Sequence, residues 1–387
     1  MITRCLAVFV VVALSGPTAF AVPPHVSYIF PAGGQRGTEV SFKVGGHYLH
    51  EGCPFDMTGP GVSASKRIER TETIWFEGPV IPQPASQSKE DYPKDYLGSV
   101  KIEKEAPLGV RRWRVNTAQG VTPRMKFVVG DLPEVIEDEI DGDAVPTGVQ
   151  LPVTINGRIF PREDVDIWTF DAKAGERITC EVNAARIGSP LDSRLEIRSP
   201  DGSVLTENVD GLGVDSFVQF TTPKAGRYEC RIHDIAFGGL QHYVYRLTIR
   251  SGPFLESVFP LGGQRGDTVA LQLSGFDLPV EQASVAIPDD SVRQFGLNLP
   301  NVASNNVILM TGDLPEHLEA EPNDTTDTVK TEGVSVKSGT AFNGRIDKPG
   351  DIDLFHFSAE AGKTLLLEVQ SSRLGTELDS VLSVLSS

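Results

Sequence analysis

Cysteine is scarce: the 387 residues hold four, and one of them, Cys5, lies in an apolar run at the N-terminus, leaving Cys53, Cys180 and Cys230. Three thiols close at most one internal disulfide, which excludes a disulfide-stapled scaffold and leaves stability to hydrophobic cores. A Cys180–Cys230 bond stays open at this point. Positive charge is also short. Arg4 is the one cation among residues 1–21, so the remaining chain carries 34 Lys and Arg against 52 Asp and Glu, a net charge of −18. Such a chain repels nucleic acid and anionic membrane surfaces, and its natural small partners are cations. Helical periodicity is missing too, because no stretch sustains a 3.6-residue apolar repeat over three turns. So are the usual catalytic signatures: there is no G-x-S-x-G elbow, H-E-x-x-H helix or P-loop.

Long hydrophobic runs are confined to the start. Met1-Ile-Thr-Arg4, an apolar run from Cys5 to Leu14, Ser15-Gly-Pro17 and Ala19-Phe-Ala21 follow the order of a secretory leader, with cleavage expected after Ala21. Ten apolar residues are too few for a hydrocarbon layer of roughly 30 Å. The expectation is an exported chain with no membrane span in its mature form. Its length predicts two to four domains, from a prior of about 100 to 200 residues each.

What is present is a repeat. Phe30-Pro-Ala-Gly-Gly-Gln-Arg-Gly37 returns as Phe259-Pro-Leu-Gly-Gly-Gln-Arg-Gly266, and Gly130-Asp-Leu-Pro-Glu134 as Gly312-Asp-Leu-Pro-Glu316. Asn156-Gly-Arg-Ile159 returns as Asn343-Gly-Arg-Ile346, Asp164-Val-Asp-Ile-Trp168 as Asp351-Ile-Asp-Leu-Phe355, and Leu191-Asp192 as Leu378-Asp379, all at a constant offset of 187. Two unit types therefore alternate. The expected boundaries are 24–130 and 253–312 for the first type, the later copy short, and 131–251 and 313–387 for the second, the later copy partial.

The fold class follows from period-two patterns. Ile178-Thr-Cys-Glu-Val182, Leu195-Glu-Ile197 and Tyr228-Glu-Cys-Arg-Ile232 alternate apolar with polar residues, as half-buried strands do. Ser199-Pro-Asp-Gly202 and Pro223-Lys-Ala-Gly226 read as turns between them. The prediction is all-β, tandem β-sandwiches. Trp168 and Phe170, with their counterparts Phe355 and Phe357, are expected in cores, as are Ile178, Cys180 and Val182 with Leu365, Leu367 and Val369. Thr169 and Glu181 are expected on a solvent face. Gly78–Ser99 reads as a long exposed loop carrying Tyr92 and Tyr96 as exposed aromatics. His47-x-x-His50-x-x-Cys53 offers three metal donors without a fourth, and the later copy has Phe276-Asp-Leu-Pro279 there, so it reads as a loop.

Glu319-Ala-Glu-Pro-Asn-Asp324, Asn343-Gly-Arg-Ile346, Gly350-Asp-Ile-Asp-Leu-Phe-His-Phe357 and Ala361-Gly362 resemble the bacterial pre-peptidase C-terminal (PPC) domain. That resemblance implies a jelly-roll-like β-sandwich attached to exported proteins, peptidases among them. The Phe-Pro-x-Gly-Gly-Gln-Arg-Gly segments, with Ala106-Pro-Leu-Gly-Val110 and Phe127-Val-Val-Gly130, look like the immunoglobulin-like IPT/TIG units of planctomycete-type exported proteins. By similarity to collagen-binding domains of clostridial collagenases, the acidic linker and the Asp-x-Asp strand entry imply a calcium site at Glu319, Glu321, Asn323, Asp324, Asp351 and Asp353. The earlier copy aligns Glu137, Glu139, Asp141, Asp164 and Asp166, with Gly142 in place of Asp324. Calcium takes six to eight oxygen ligands, so two chain segments must converge. The competing readings are solvated carboxylates or an acid–base pair at Asp164 and Asp166. The functional expectation is a non-catalytic binding or spacer protein, secreted, periplasmic or on the cell surface, with an extracellular polymer or protein as ligand. The rival is the accessory region of a secreted hydrolase or peptidase.

Overall fold

A computed structural model describes residues 23–71, 94–138, 145–289, 293–299, 302, 305–327, 339–357, 359–371, 374, 376 and 378–385. Residues 1–22 and Tyr92 lie outside them. The described chain is built almost wholly from strands, with one 3-10 turn at Ala185–Ile187.

Two five-stranded sheets enclose the first hydrophobic cluster. One runs His25–Phe30, Glu39–His47, Lys94–Ile102 and Val62–Ala64, and the other Gly33–Gln35, Met125–Gly130, Gly109–Thr117 and Phe55–Thr58, each with a short extra strand at its edge. Trp113, Phe42 and Phe127 fill the space between them. Residues 94–99 of the expected loop belong to the strand Lys94–Ile102, where Tyr96 is 5% exposed and donates its hydroxyl to Leu49 O at 2.6 Å. Tyr96 is thus a core residue with a satisfied polar tip, not an exposed aromatic.

The second pair of sheets carries the chemistry. One has the order Glu134–Ile136, Val153–Arg158, Val244–Ser251, Arg177–Asn183, Phe217–Thr221, and the other Thr147–Gly148, Asp166–Ala172, Gly226–Asp234, Ser193–Arg198, Val204–Asn208. Side chains alternate along each strand, so Tyr228, Cys230 and Ile232 all point into the cluster that also holds Ile178, Cys180, Val182, Trp168 and Phe170. Burial of these side chains contributes roughly 1.5–3 kcal/mol each relative to exposure. Both cysteines are buried and free. Gly202, at φ +83°, closes the Ser199–Ser203 turn in a region that favours glycine. Thr169 does not face solvent. It is 7% exposed, because Thr147–Gly148 adds a strand beside Asp166–Ala172 and the Val149 amide donates to Thr169 O.

A third cluster, around Leu255, Leu271, Leu273 and Leu309, lies between two three-stranded sheets: Phe254–Phe259, Thr268–Phe276, Gln282–Ala286 and Gly262–Gln264, Asn306–Gly312, Gln294–Asn298. Past it, Glu316–Leu318 pairs in parallel with Ala341–Asn343. Here the structure corrects the expectation of an equivalent second core. Phe355 is 37% exposed, Leu365 38%, Leu367 45% and Val369 41%, whereas Trp168 is 3%. The described part of 359–385 forms no strand. The cause is pairing. In the earlier copy, Asp166–Ala172 and Arg177–Asn183 are held by Gly226–Asp234, Val244–Ser251 and Phe217–Thr221, and among the described residues after 343 no strand pairs with the corresponding segments.

Candidate metal centre

The acidic cradle of the later copy is set by its backbone. Leu318 stands opposite Asn343 in the parallel pair, and the Glu319 amide donates to Asn343 O at 2.9 Å. The Arg345 amide donates to Glu319 Oε1 at 2.7 Å. Between them Gly344 leaves room that no side chain could share, since a Cβ there would stand 2.7 Å from Glu319 Oε2 and 2.8 Å from Asp353 Oδ2. One carboxylate oxygen from each of Glu319, Glu321 and Asp353 lies within 4.8 Å of the other two. Asn323 is 6% exposed, yet neither its Oδ1 nor its Nδ2 has a hydrogen-bond partner, and Glu319 Oε2, Asp351 Oδ1 and Asp353 Oδ1 are buried without one as well. Asp324 and Asp351 flank the cradle, each near Lys348 Nζ, at 3.6 and 3.7 Å.

Charge accumulates here at a cost. Burial, with Asp353 and Glu321 adding to it against the Arg345 amide, pushes the Glu319 carboxyl up to about 7. Burial, then Asp351 and Glu321, also raises Asp353, while the Asp347 amide holds Asp351 below the usual carboxylate range. Orphaned buried oxygens are rare in folded proteins, because each forgoes its hydration. Three carboxylates that meet within 4.8 Å, with Asn323 joined to them through its backbone amide on Glu321 Oε2 at 2.9 Å, are a donor set of hard oxygens. This set fits calcium.

The earlier copy repeats the scaffold and changes its content. The Glu137 amide donates to Asn156 O, the Arg158 amide to Glu137 Oε2 at 2.8 Å, and the Phe160 amide to Asp164 Oδ2 at 3.0 Å. These match the bonds made by Glu319, Arg345 and Asp347. Asp166, however, accepts from the Tyr245 hydroxyl at 2.6 Å, and Tyr245 accepts in turn from Trp168 Nε1 at 2.9 Å. Burial raises both Asp166 and the neighbouring Glu137 above the usual carboxylate range. Buried and saturated by internal partners, Asp164 and Asp166 are not presented to a substrate. Glu139 and Asp141 lie outside the described residues. Among the described residues, His47, His50 and Cys53 form no metal group. The His50 amide instead donates to the buried Cys53 Sγ at 3.4 Å.

Sequence reasoning found the carboxylates and missed what arranges them. Gly344, Arg345 and Asn343 were visible only as a repeated Asn-Gly-Arg, and nothing in the sequence singled out Tyr245. The recurrence of Asn-Gly-Arg together with Glu134 and Glu316 was the available signal: Asn156 Nδ2 donates to Glu134 Oε2 at 2.7 Å, and Asn343 Nδ2 to Glu316 Oε2 at 2.5 Å.

Comparison with known proteins places the class of the central unit. The profile of the bacterial pre-peptidase C-terminal domain matches residues 164–234. This stretch of the chain is a PPC domain. A probable subtilase-type serine protease of Deinococcus radiodurans is 42% identical over 66 residues, which are 17% of this chain and 9% of the protease. The chain thus spans about a tenth of that relative. Among solved structures, the pre-peptidase C-terminal domain of a Bacillus anthracis collagenase overlaps 28% of this chain and 97% of its own, at 16% identity and a TM-score of 0.24. The secreted serine protease VesC of Vibrio cholerae overlaps 56% and 48%, at 6% identity and a TM-score of 0.21.

Proposed function

We propose that this chain is an exported, non-catalytic array of β-sandwiches that binds or spaces at the cell surface or on extracellular polymers, with calcium stabilising its second acidic cradle. The observation that carries the reading is the buried, unpaired Asn323 side chain beside Glu319, Glu321 and Asp353. A bound cation would neutralise these groups and tie segment 319–324 to segment 343–353. Asp324 and Asp351 would add to the field that attracts it. The first cradle is the poorer candidate, because the Tyr245 hydroxyl already donates to Asp166. The test is thermal unfolding of the protein lacking residues 1–21. Calcium at a hundred times its Kd should stabilise the fold by about 2.7 kcal/mol, and chelator should reverse this. The double variant Glu319→Gln, Asp353→Asn should lose the response. An unchanged midpoint with and without chelator would remove calcium from the account.

The likeness to the Deinococcus protease favours a second reading, in which these units are the accessory region of a secreted peptidase. Labelling of the exported native protein by a fluorophosphonate probe, on a polypeptide longer than 387 residues, would support it; absence of label would favour the first.

A further inference from the structure

The repeated Phe-Pro-x-Gly-Gly-Gln-Arg-Gly segment has no part in the cradle, and its glycines suggest an anion-binding loop at first sight. The structure fills that loop from inside. A Cβ on Gly33 would stand 2.1 Å from Arg246 Nη1 and 2.4 Å from Val128 O. Arg246 belongs to the following sandwich, where it is 4% exposed and pairs with Glu134 at 2.7 Å. The Arg36 amide is taken by Gly130 O at 2.8 Å, and Gln35 Nε2 donates to Asp131 O at 3.0 Å. The Phe30 ring lies beneath the guanidinium of Arg158, 4.1 Å from ring centre to carbon, with Tyr28 beside it at 5.5 Å. Phe30, Gly33 and Gln35 therefore address the next sandwich or the linker to it, while Ala32, Gly34 and Gly37 hold the segment in its own unit.

The later copy does the same. Phe259 lies beneath Arg345 at 4.1 Å, the Leu261 amide donates to Asn343 Oδ1 at 3.1 Å, and Arg265 pairs with Asp313 at 2.5 Å. The two arginines are those of the repeated Asn-Gly-Arg. The seam is apolar as well: Ile187 and Val244 of the second sandwich pack in the first hydrophobic cluster.

We propose that this octapeptide is a docking clamp whose partner is the Asn-Gly-Arg strand of the sandwich that follows it, held by an arginine laid on the phenylalanine. Each clamp fixes a pair of unlike units as one rigid body. The same arginine offers its amide to the cradle, but the clamp needs no cation.

Hydrogen exchange read by mass spectrometry on the full chain without its leader, in chelator throughout, tests this. Arg158 is desolvated and Arg345 exposed, so Arg158→Met should speed exchange in peptides spanning 30–37 and 128–135 about 30-fold, and Arg345→Met in peptides spanning 259–266 about 2- to 5-fold. Peptides from Gly226–Asp234 should not change in either variant. Should Arg158→Met fail to fold, Arg345→Met and Phe259→Leu decide the matter. Combining those two should add little to either alone, since a shared contact is lost once. Unchanged exchange at the seams, or effects of Arg345→Met and Phe259→Leu that simply multiply, would overturn the clamp.

Discussion

Single carboxyls give the sharpest chemistry in this protein. Glu319 titrates near 7 in the fold against 4.5 as its ordinary value, because burial and its acidic neighbours disfavour the charge. A raised carboxyl pKa means that the folded state holds the proton more tightly than the unfolded one, so its contribution is complete below about 4.5 and is lost as pH rises through about 7. The cation-free protein should therefore lose stability between these limits, and Glu319→Gln should flatten that slope in chemical unfolding curves taken across the range. Tyr245 is the second sensitive point. Tyr245→Phe removes the donor to Asp166 and the acceptor for Trp168 Nε1, and should cost about 1–3 kcal/mol by denaturant titration. At this scale the sequence was half legible. Asp351 and Asp353 were legible through the internal repeat and the resemblance to collagen-binding domains. Tyr245 and Arg158 act across sheets from distant positions, and period-two patterns carry no information about which residue faces which across a core.

Strands were the most readable elements, since alternation in Ile178–Val182 and Tyr228–Ile232 follows directly from the side-chain period of a half-buried strand. The same logic misplaced Leu365, Leu367 and Val369. An apolar alternation states what a strand would bury, and burial needs a partner strand to supply the hydrogen bonds and the opposite face. The contrast is measurable. Ile178→Ala, at a site with no exposure, should cost about 2–5 kcal/mol through transfer and cavity terms. Leu367→Ala, 45% exposed, should change stability by no more than about 0.5 kcal/mol. Tyr96 shows the converse error. Turn-forming and charged residues before it suggested a loop, while its own segment, Lys94–Ile102, pairs with Glu39–His47 through the middle of a sheet.

On the scale of the whole molecule, the repeat carries the argument. Two acidic cradles are built on the same backbone bonds, one closed by the Tyr245 hydroxyl on Asp166, the other holding buried oxygens that lack hydrogen-bond partners. Residues 164–234 of the central unit match the PPC profile, and in both copies the arginine whose amide reaches the cradle also lies over the seam phenylalanine. Duplication was plain from the constant offset in sequence, and Gly142 in place of Asp324 marked the first cradle as altered; its closure by Tyr245 was not legible, because Tyr245 lies outside either motif. Isothermal calorimetric titration of the leaderless protein with calcium reads this divergence most directly. One site per chain, abolished by Glu319→Gln with Asp353→Asn and unaffected by Asp166→Asn, is the predicted result. Two equal sites, or no heat at any concentration that leaves the protein folded, would contradict the account.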